Sequence, residues 1–236
     1  MKTKSVFKRY EIKYIITIEQ KQKLLELINP YMQPDNNKQS IYNLYLDTND
    51  YLLTRRSLER PVYKEKLRLR SYGKATSKAN VYLEIKKKFD DVVYKRRIVI
   101  KEENAEKYFY GNYQLPTSQI SNEIDYFKYI YPNICPKMFI GYDRQAFFGN
   151  DDQNFRITFD ENIVYRDNDL NLCSEMYGYR LIPKGTVLME IKTTNGLPLW
   201  LTNYLTDNQI YKTSFSKCTR AYKENNERKK VINYAI

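Results

Sequence analysis

Charged side chains alternate with apolar ones along several segments of this chain. Glu-Ile-Lys occurs twice, as Glu84–Lys86 and Glu190–Lys192, and Arg68-Leu69-Arg70 has the same spacing. In a β-strand, residues i and i+2 lie on the same face of the sheet. Each segment, as a strand, therefore has charge on one face and Leu or Ile on the other. Closely spaced Arg and Lys are suited to binding phosphate oxygens, and carboxylates beside them are suited to binding a divalent cation.

Every second residue of a strand lies on the same face, and we call each such set one parity of the strand. One parity from each predicted strand gives a charged face of twelve basic and four acidic side chains. The set is Arg9, Glu11, Lys13, Lys66, Arg68, Arg70, Glu84, Lys86, Lys88, Lys95, Arg97, Arg144, Arg156, Asp160, Glu190 and Lys192. Like charges on neighbouring strands repel, so this excess of Arg and Lys is unusual for an exposed face. The set fits a polar sheet face in solvent. It also fits a barrel whose wet interior holds a polyanion, because buried cations need counter-ions. The pattern permits both geometries.

The elements that carry these side chains are strands interrupted by two groups of helices. Strands are expected at about 5–16, 41–47, 64–72, 80–89, 92–101, 136–149, 154–160, 162–167 and 179–192. Helices are expected from the N-cap residue Thr17 to Pro30, around 49–57, within 102–132, after Pro198 and at about 214–225. The fold class is α+β, and in the closed alternative it is an antiparallel β-barrel tunnel with a charged lumen, covered by amphipathic helices. We expect a single domain over 1–225 and a charged C-terminal tail at 226–236.

The composition narrows the chemistry further. The chain has 40 basic and 28 acidic residues, a net charge of +12, which favours an anionic partner such as nucleic acid, a membrane surface, a nucleotide or polyphosphate. It has no histidine, which excludes His-dependent nucleophiles and His-ligated zinc. Its three cysteines are widely spaced, as expected of free thiols in a reducing compartment. Glycine-rich phosphate-binding motifs and long apolar runs are absent, so we expect a cytoplasmic protein.

Nine short motifs, in order along nearly the whole chain, resemble the VTC-type polyphosphate polymerase domain of the triphosphate tunnel metalloenzyme (CYTH-like) superfamily. They are FKRYEIKY (7–14), YLDT (45–48), KLRLRSYG (66–73), YLEIKKK (82–88), YKRRIVIK (94–101), YDRQAF (142–147), FRITFD (155–160), MEIK (189–192) and SFSKCTRA (214–221). Each motif is short, and the resemblance lies in the ordered set.

The resemblance implies an enzyme that transfers the γ-phosphate of ATP to a growing polyphosphate chain inside a basic tunnel, with Mn²⁺ or Mg²⁺ as cofactor. It implies phosphate contacts by Lys13, Arg68, Arg70, Lys86, Lys95, Arg97, Arg144, Arg156, Lys192 and Lys217. The predicted catalytic residues among these are Lys13, Arg68, Arg70, Lys86, Arg144, Arg156 and Lys217. Glu190 is the first predicted metal ligand, with Glu11 and Asp160 in support.

Two positions depart from the family pattern. Many hydrolytic members begin with E-x-E-x-K, whereas this chain has R-x-E-x-K with Arg9 first, which favours polymer binding over two-metal hydrolysis. Fungal members have a second lysine three residues before the Lys217 match, where this chain has Ser214.

Two other functions stay open on the sequence: a tripolyphosphatase or nucleoside triphosphatase on the same fold, and a non-catalytic polyphosphate-binding module. Nucleic acid is not expected, because the strands show no aromatic-interleaved platform for bases. We expect the 24 tyrosines to pack on the helices and outer face rather than stack on adenine. No membrane segment is recognisable, and a membrane protein stays open as a partner.

Overall fold

The structure is a computed structural model that describes residues 10–35, 38–90 and 92–234. Arg9 and the predicted strand residues before it lie outside the described residues. The described strands are β1 (Tyr10–Thr17), β2 (Met32–Pro34), β3 (Gln39–Asp47), β4 (Tyr63–Tyr72), β5 (Asn80–Phe89), β6 (Val92–Lys101), β7 (Cys135–Gly149), β8 (Arg156–Arg166), β9 (Tyr179–Arg180) and β10 (Thr186–Thr193). The helices are α1 (Ile18–Ile28), α2 (Leu52–Leu58), α3 (Glu102–Tyr110), α4 (Gln119–Ile130), α5 (Leu199–Asp207) and α6 (Lys217–Tyr234).

Most predicted helices and strands are confirmed. The differences occur where local backbone geometry determines whether a strand continues or ends. The two strands expected at 154–160 and 162–167 form one strand, β8, in which Asn162 has a φ of 50°. The strand expected at 179–192 is divided into β9 and β10 by a turn in which Gly185 has a φ of 83°. β2 was not expected, and α6 continues to Tyr234, so most of the predicted tail is helical.

The junction between β1 and α1 follows the expected capping chemistry. The Thr17 side chain accepts a hydrogen bond from the Gln20 backbone N–H at 3.1 Å, and the Gln20 side chain accepts one from the Thr17 N–H at 2.9 Å. This capping box satisfies two donors that have no partner within the helix. It fixes where the strand ends and where the helix begins.

The chain divides into two compact units. The first unit comprises 1–40, 142–163 and 182–215. Its strands β1, β10 and β8 are antiparallel neighbours, with Lys13 opposite Glu190 and Lys192 opposite Arg156. Residues of the other parity form its apolar core with α1 and α5: Ile16, Leu24, Ile28, Ile157, Phe159, Val187, Met189, Ile191, Leu201 and Leu205. Helices therefore cover the apolar face of this part of the sheet, and the charged side chains lie on the other face.

The second unit comprises 41–141, 164–181 and 216–236. β4 pairs with β3 and β5, and β5 pairs with β6, which places Arg68 between Tyr45 and Glu84, and Glu84 opposite Arg97. The other parity is apolar and packs with α3 and α4 in a core that includes Leu67, Leu69, Val81, Leu83, Ile85, Ala105, Tyr108, Ile124 and Phe127. The alternation expected from the sequence thus separates charge from core in this unit as well.

The fold class is confirmed as α+β with a large antiparallel sheet, but the sheet is not closed. The strand order is β1-β10-β8-β7-β3-β4-β5-β6, with β2 on β7 and β9 on β8. Among the described residues no pairing joins β1 to β6, so the expected closed barrel describes the fold only loosely. No helix in the described part of the chain is long and apolar enough to cross a membrane.

Candidate functional site

The first charged cluster lies in the first unit and consists of Glu11, Lys13, Arg144, Asp160 and Glu190. The Lys13 ammonium lies 2.9 Å from a carboxylate oxygen of Glu11 and 3.4 Å from one of Glu190. It also donates to the backbone carbonyl of Phe215 at 2.9 Å. The Glu190 side chain is only 8% exposed. Two carboxylates therefore converge on one cation in a largely buried position.

Arg144 is held in this cluster by a two-point ion pair. Its Nε and Nη2 each lie 2.6 Å from an oxygen of Asp160, and Nη2 lies 3.1 Å from Glu190 Oε2. The Asp160 side chain is fully buried. Burial opposes the charged form of Arg144, but Asp160, Tyr142 and Glu190 raise its pKa well above the ordinary range. Asp160 thus fixes the guanidinium plane of Arg144 and keeps it charged.

Arg156 and Lys192 lie beside this cluster on neighbouring strands. Lys192 is opposite Glu11 on β1 and opposite Arg156 on β8. Arg156 pairs with Asp35, and its side chain is 36% exposed. These two basic residues therefore extend the charged face of the first unit towards one end of its strands.

The second charged cluster lies in the second unit and consists of Arg68, Arg70, Glu84, Lys95 and Arg97. Glu84 is its centre and is only 1% exposed. Its Oε2 accepts from Arg68 Nε at 2.8 Å and lies 2.7 Å from Arg68 Nη2, while its Oε1 lies 2.7 Å from the Lys95 ammonium. Arg70 and Arg97 approach Glu84 at 3.8 and 4.0 Å. One buried carboxylate is thus surrounded by four cations.

This arrangement shifts the pKa of both Glu84 and Lys95. Burial opposes ionisation of Glu84, but the attraction of Arg68, Arg70 and Lys95 outweighs it and lowers the pKa of Glu84 to about 2. Burial also opposes the charged form of Lys95, and although Glu84 favours that form, the pKa of Lys95 falls to about 8. Glu84 is therefore ionised at neutral pH. Lys95 changes from charged to neutral at a pH slightly above neutral.

Two polar residues of β3 hold the arginines of the second cluster in place. The Tyr45 hydroxyl accepts from Arg68 Nη1 at 3.0 Å, and Asn43 Oδ1 accepts from Arg70 Nε at 2.9 Å. Asn43 is fully buried and also donates to the carbonyl of Ile140 at 2.9 Å. Neither residue was among the predicted site residues. Their shared parity, on the strand that pairs with β4, is the sequence signal that could have identified them.

The remaining basic residues of the second unit extend its charged face. The strand register places Lys66, Lys86 and Lys95 side by side on β4, β5 and β6. The Lys66 ammonium donates to the Ser216 hydroxyl at 3.2 Å, directly before the first residue of α6, Lys217. Lys217 is only 8% exposed. The predicted residues Lys66, Lys86 and Lys217 thus all belong to this unit.

The structure brings the predicted site residues together as two sets. Glu11, Lys13, Arg144, Arg156, Asp160, Glu190 and Lys192 lie in the first unit, and Arg68, Arg70, Lys86, Lys95, Arg97 and Lys217 lie in the second. The centres of both clusters are buried, with Asp160, Glu84, Glu190 and Arg70 at 0, 1, 6 and 7% exposure. The centres of both clusters are therefore shielded from solvent, whereas the side chains of Lys95, Arg97 and Arg156 are partly exposed. The individual roles of the residues stay predictions.

A divalent cation would find two convergent carboxylates in the first cluster. Glu11 and Glu190 already share the Lys13 ammonium. No group of three or more Asp, Glu or Cys residues arranged to hold a metal occurs within 10–35, 38–90 and 92–234. Mg²⁺ commonly takes one or two carboxylates and completes its shell with water and substrate phosphates. The pair Glu11 and Glu190 fits that donor set, whereas both oxygens of Asp160 are engaged by Arg144.

Solved structures with the same architecture define the class of fold. A protein from Bacillus halodurans provisionally named an adenylate cyclase is 12% identical, with a TM-score of 0.57, and the match covers 90% of this chain and 95% of that one. A Hippeastrum protein provisionally named an adenylyl cyclase, whose structure is described as revealing a dominant triphosphatase activity, is 15% identical with a TM-score of 0.53. That match covers 91% of this chain and 96% of the other. The chain therefore has the CYTH-like, triphosphate-tunnel class of fold.

Residues 8–225 match the family model described as the VTC domain. The chain belongs to the VTC domain family. Comparison with curated proteins gives no match.

Proposed function

We propose that this protein is a metal-dependent polyphosphate polymerase that transfers the γ-phosphate of ATP to the end of a polyphosphate chain. The observation that carries the proposal is the excess of cations around the buried Glu84, where Arg68 and Arg70 are mostly buried and Lys95 and Arg97 are partly exposed. Buried cations are costly unless anions accompany them, and phosphate oxygens are strong acceptors for Arg and Lys. Membership of the VTC domain family supports the same substrate class.

Arg68, Arg70 and Lys95 of the second cluster bind and orient phosphates. Arg68 and Arg70 lie two apart on β4 and are held by Tyr45 and Asn43, so their planar guanidinium groups are positioned before substrate arrives. Lys86 and Lys95 add charge on the next two strands. Preorganised donors of this kind stabilise the charge that develops on a transferring phosphoryl group.

The acceptor is the terminal phosphate oxygen of a polyphosphate chain, which is already a nucleophile. It forms a new bond to the γ-phosphorus while the bond from that phosphorus to the β-bridging oxygen breaks, and ADP leaves with that electron pair. A water acceptor would instead need a general base with a pKa near the working pH. Glu84, with a pKa of about 2, is a poor base. Asp160 and Glu190 both pair with Arg144, so their carboxylate oxygens are already engaged by a cation.

Glu190 and Glu11 are the residues that would hold the divalent metal. When bound, Mn²⁺ or Mg²⁺ supplies charge neutralisation at phosphate oxygens. Lys13 lies between these carboxylates in the structure and would be freed to contact a phosphate. Arg144, fixed by Asp160, stays beside Glu190 and limits the excess negative charge there.

The products distinguish the proposal from its rivals. Purified protein is incubated with ATP and Mn²⁺, and the products are resolved by gel electrophoresis, with Glu190→Gln as the matched variant. We expect a ladder of long polyphosphate from the wild type and none from Glu190→Gln, with the variant still folded and unfolding in a cooperative thermal transition. ADP and orthophosphate without any polymer would contradict the polymerase assignment.

A second candidate is a triphosphatase, which the activity described for the Hippeastrum protein favours. It would use the same cations and differ only in its acceptor, which is water. Release of orthophosphate from tripolyphosphate at a rate equal to ATP turnover would favour this candidate. We place either activity in the cytoplasm, where ATP is abundant and the free thiols of Cys135, Cys173 and Cys218 stay reduced.

A further inference from the structure

Two tyrosines and an arginine form an aromatic platform at one end of the second cluster: Tyr72, Tyr82 and Arg97. The two rings meet edge to face, with centroids 5.4 Å apart. The Arg97 guanidinium lies over the Tyr82 ring at 4.7 Å and donates to the Tyr72 hydroxyl at 3.5 Å. Tyr72 is 46% exposed, and the Arg97 side chain is 48% exposed. An exposed ring and a planar cation therefore lie side by side.

The platform continues the row of phosphate-binding residues along β4. Tyr72, Arg70, Arg68 and Lys66 follow one another at two-residue intervals, so they share a face and are spaced by about 7 Å. Tyr82 lies opposite Arg70 in the register, and Arg97 lies opposite Glu84. At the other end the face is purely basic, with Lys66 opposite Lys86 and Lys64 opposite Lys88. The face of β4 and β5 is thus aromatic at one end and cationic at the other.

A nucleoside triphosphate has the same polarity, with an aromatic base at one end and anionic phosphates at the other. We propose that Tyr72 and Arg97, with Tyr82 behind them, bind the nucleobase of the substrate by stacking. The inference rests on the proposed function, because it assumes that phosphates bind at Arg68 and Arg70. It also assigns a direction: the base lies towards Tyr72, and phosphates extend towards Lys66 and Lys86. On this proposal, Tyr72 and Tyr82 would be exceptions to the expectation that the tyrosines pack rather than stack on adenine.

The chemistry favours a platform that accepts any base. Every nucleobase has a π-face, and stacking on an aromatic ring depends little on its identity. Arg97 adds a planar cation that stacks on Tyr82, and an ammonium would not replace it. We therefore expect ATP and GTP to bind with similar affinity.

The test compares two ligands that differ in the nucleoside. Affinities for a non-hydrolysable ATP analogue and for tripolyphosphate are measured by calorimetry for the wild type, Tyr72→Ala, Tyr72→Trp and Arg97→Lys. Base stacking contributes about 1–3 kcal/mol, so Tyr72→Ala should weaken binding of the ATP analogue by about 5- to 150-fold. Its affinity for tripolyphosphate should stay within about twofold, because no phosphate contact is removed. Tyr72→Trp should keep the wild-type affinity for the ATP analogue. Arg97→Lys should weaken binding of the ATP analogue more than it weakens binding of tripolyphosphate.

Tyr63→Ala is the matched control. Tyr63 lies on the same strand as Tyr72 and has the same exposure of 46%. It belongs to the opposite face of the strand, where its hydroxyl donates to Glu65. It should change neither affinity. Equal ATP affinity in the wild type, Tyr72→Ala and Arg97→Lys, with tripolyphosphate still bound, would overturn the base platform alone. Failure of the wild type to bind tripolyphosphate would overturn the proposed function and this inference together.

Discussion

Replacing Glu84 tests whether this residue is a structural counter-ion or a catalytic group. Its pKa lies near 2 instead of the ordinary 4.5. Each pKa unit corresponds to about 1.4 kcal/mol, so ionised Glu84 stabilises the folded protein by about 3 kcal/mol at neutral pH. Because the folded-state pKa is lowered, this stability is fully present above pH 4.5 and is lost as the pH falls towards 2. Glu84→Gln should therefore lower the free energy of unfolding by about 3 kcal/mol at pH 7.

The same variant should bind polyanions more tightly. Glu84→Gln leaves Arg68, Arg70 and Lys95 without the carboxylate that they share, and tripolyphosphate can replace it. If half of the lost stability is recovered on binding, the affinity rises by about tenfold. Stability falls and affinity rises only if Glu84 is a counter-ion that substrate displaces.

The assay is urea unfolding at pH 7 and fixed ionic strength, with and without tripolyphosphate, followed by calorimetry of the same ligand. Glu26→Gln, an exposed position on α1, is the control and should behave as the wild type. An unfolding free energy unchanged in Glu84→Gln would refute the reasoning. Weaker tripolyphosphate binding in that variant would also refute it, because Glu84 would then assist binding rather than compete with it.

Three further predictions concern charges and packing. Lys95 has a pKa of about 8, so tripolyphosphate affinity should fall between pH 7 and 9, and Lys95→Arg should remove most of that fall in a pH series. Asp160→Asn leaves the largely buried Arg144 without its two-point partner and should cost about 3 kcal/mol in urea unfolding, whereas intact stability would contradict the pairing. Arg166 is 1% exposed, lies 3.6 Å over the Phe139 ring and donates to backbone carbonyls within 169–177, so Arg166→Met should expose that loop to limited proteolysis.

The strands were predictable because their apolar residues alternate. Strands β4, β5 and β6 were expected at 64–72, 80–89 and 92–101, and the observed strands agree to within one residue. Each buries one parity against helices, which is the condition under which period-two patterning specifies a strand. The continuity of β8 through Asn162 was not predictable in this way. Its backbone has a positive φ, which a polar residue in a loop adopts equally well.

The centre of the second cluster could not be predicted from one sequence. Glu84 was recognised as charged, but its four partners lie on two other strands, β4 and β6. Cross-strand register is set by pairing and turns, so it is not written in the spacing of any one strand. The same limit applies to Tyr82, which meets Tyr72 and Arg97 only through register. Neighbours on one strand, such as Arg68 and Arg70, were predictable because residues two apart on a strand share a face.

The fate of the γ-phosphate tests the central claim most directly. ADP and free orthophosphate are measured together in one reaction of the wild-type protein with ATP and Mn²⁺. Transfer to polyphosphate predicts that ADP accumulates well ahead of orthophosphate, with the missing phosphate recovered as polymer. Orthophosphate formed in a one-to-one ratio with ADP from the earliest time points would show that water is the acceptor and would contradict the account.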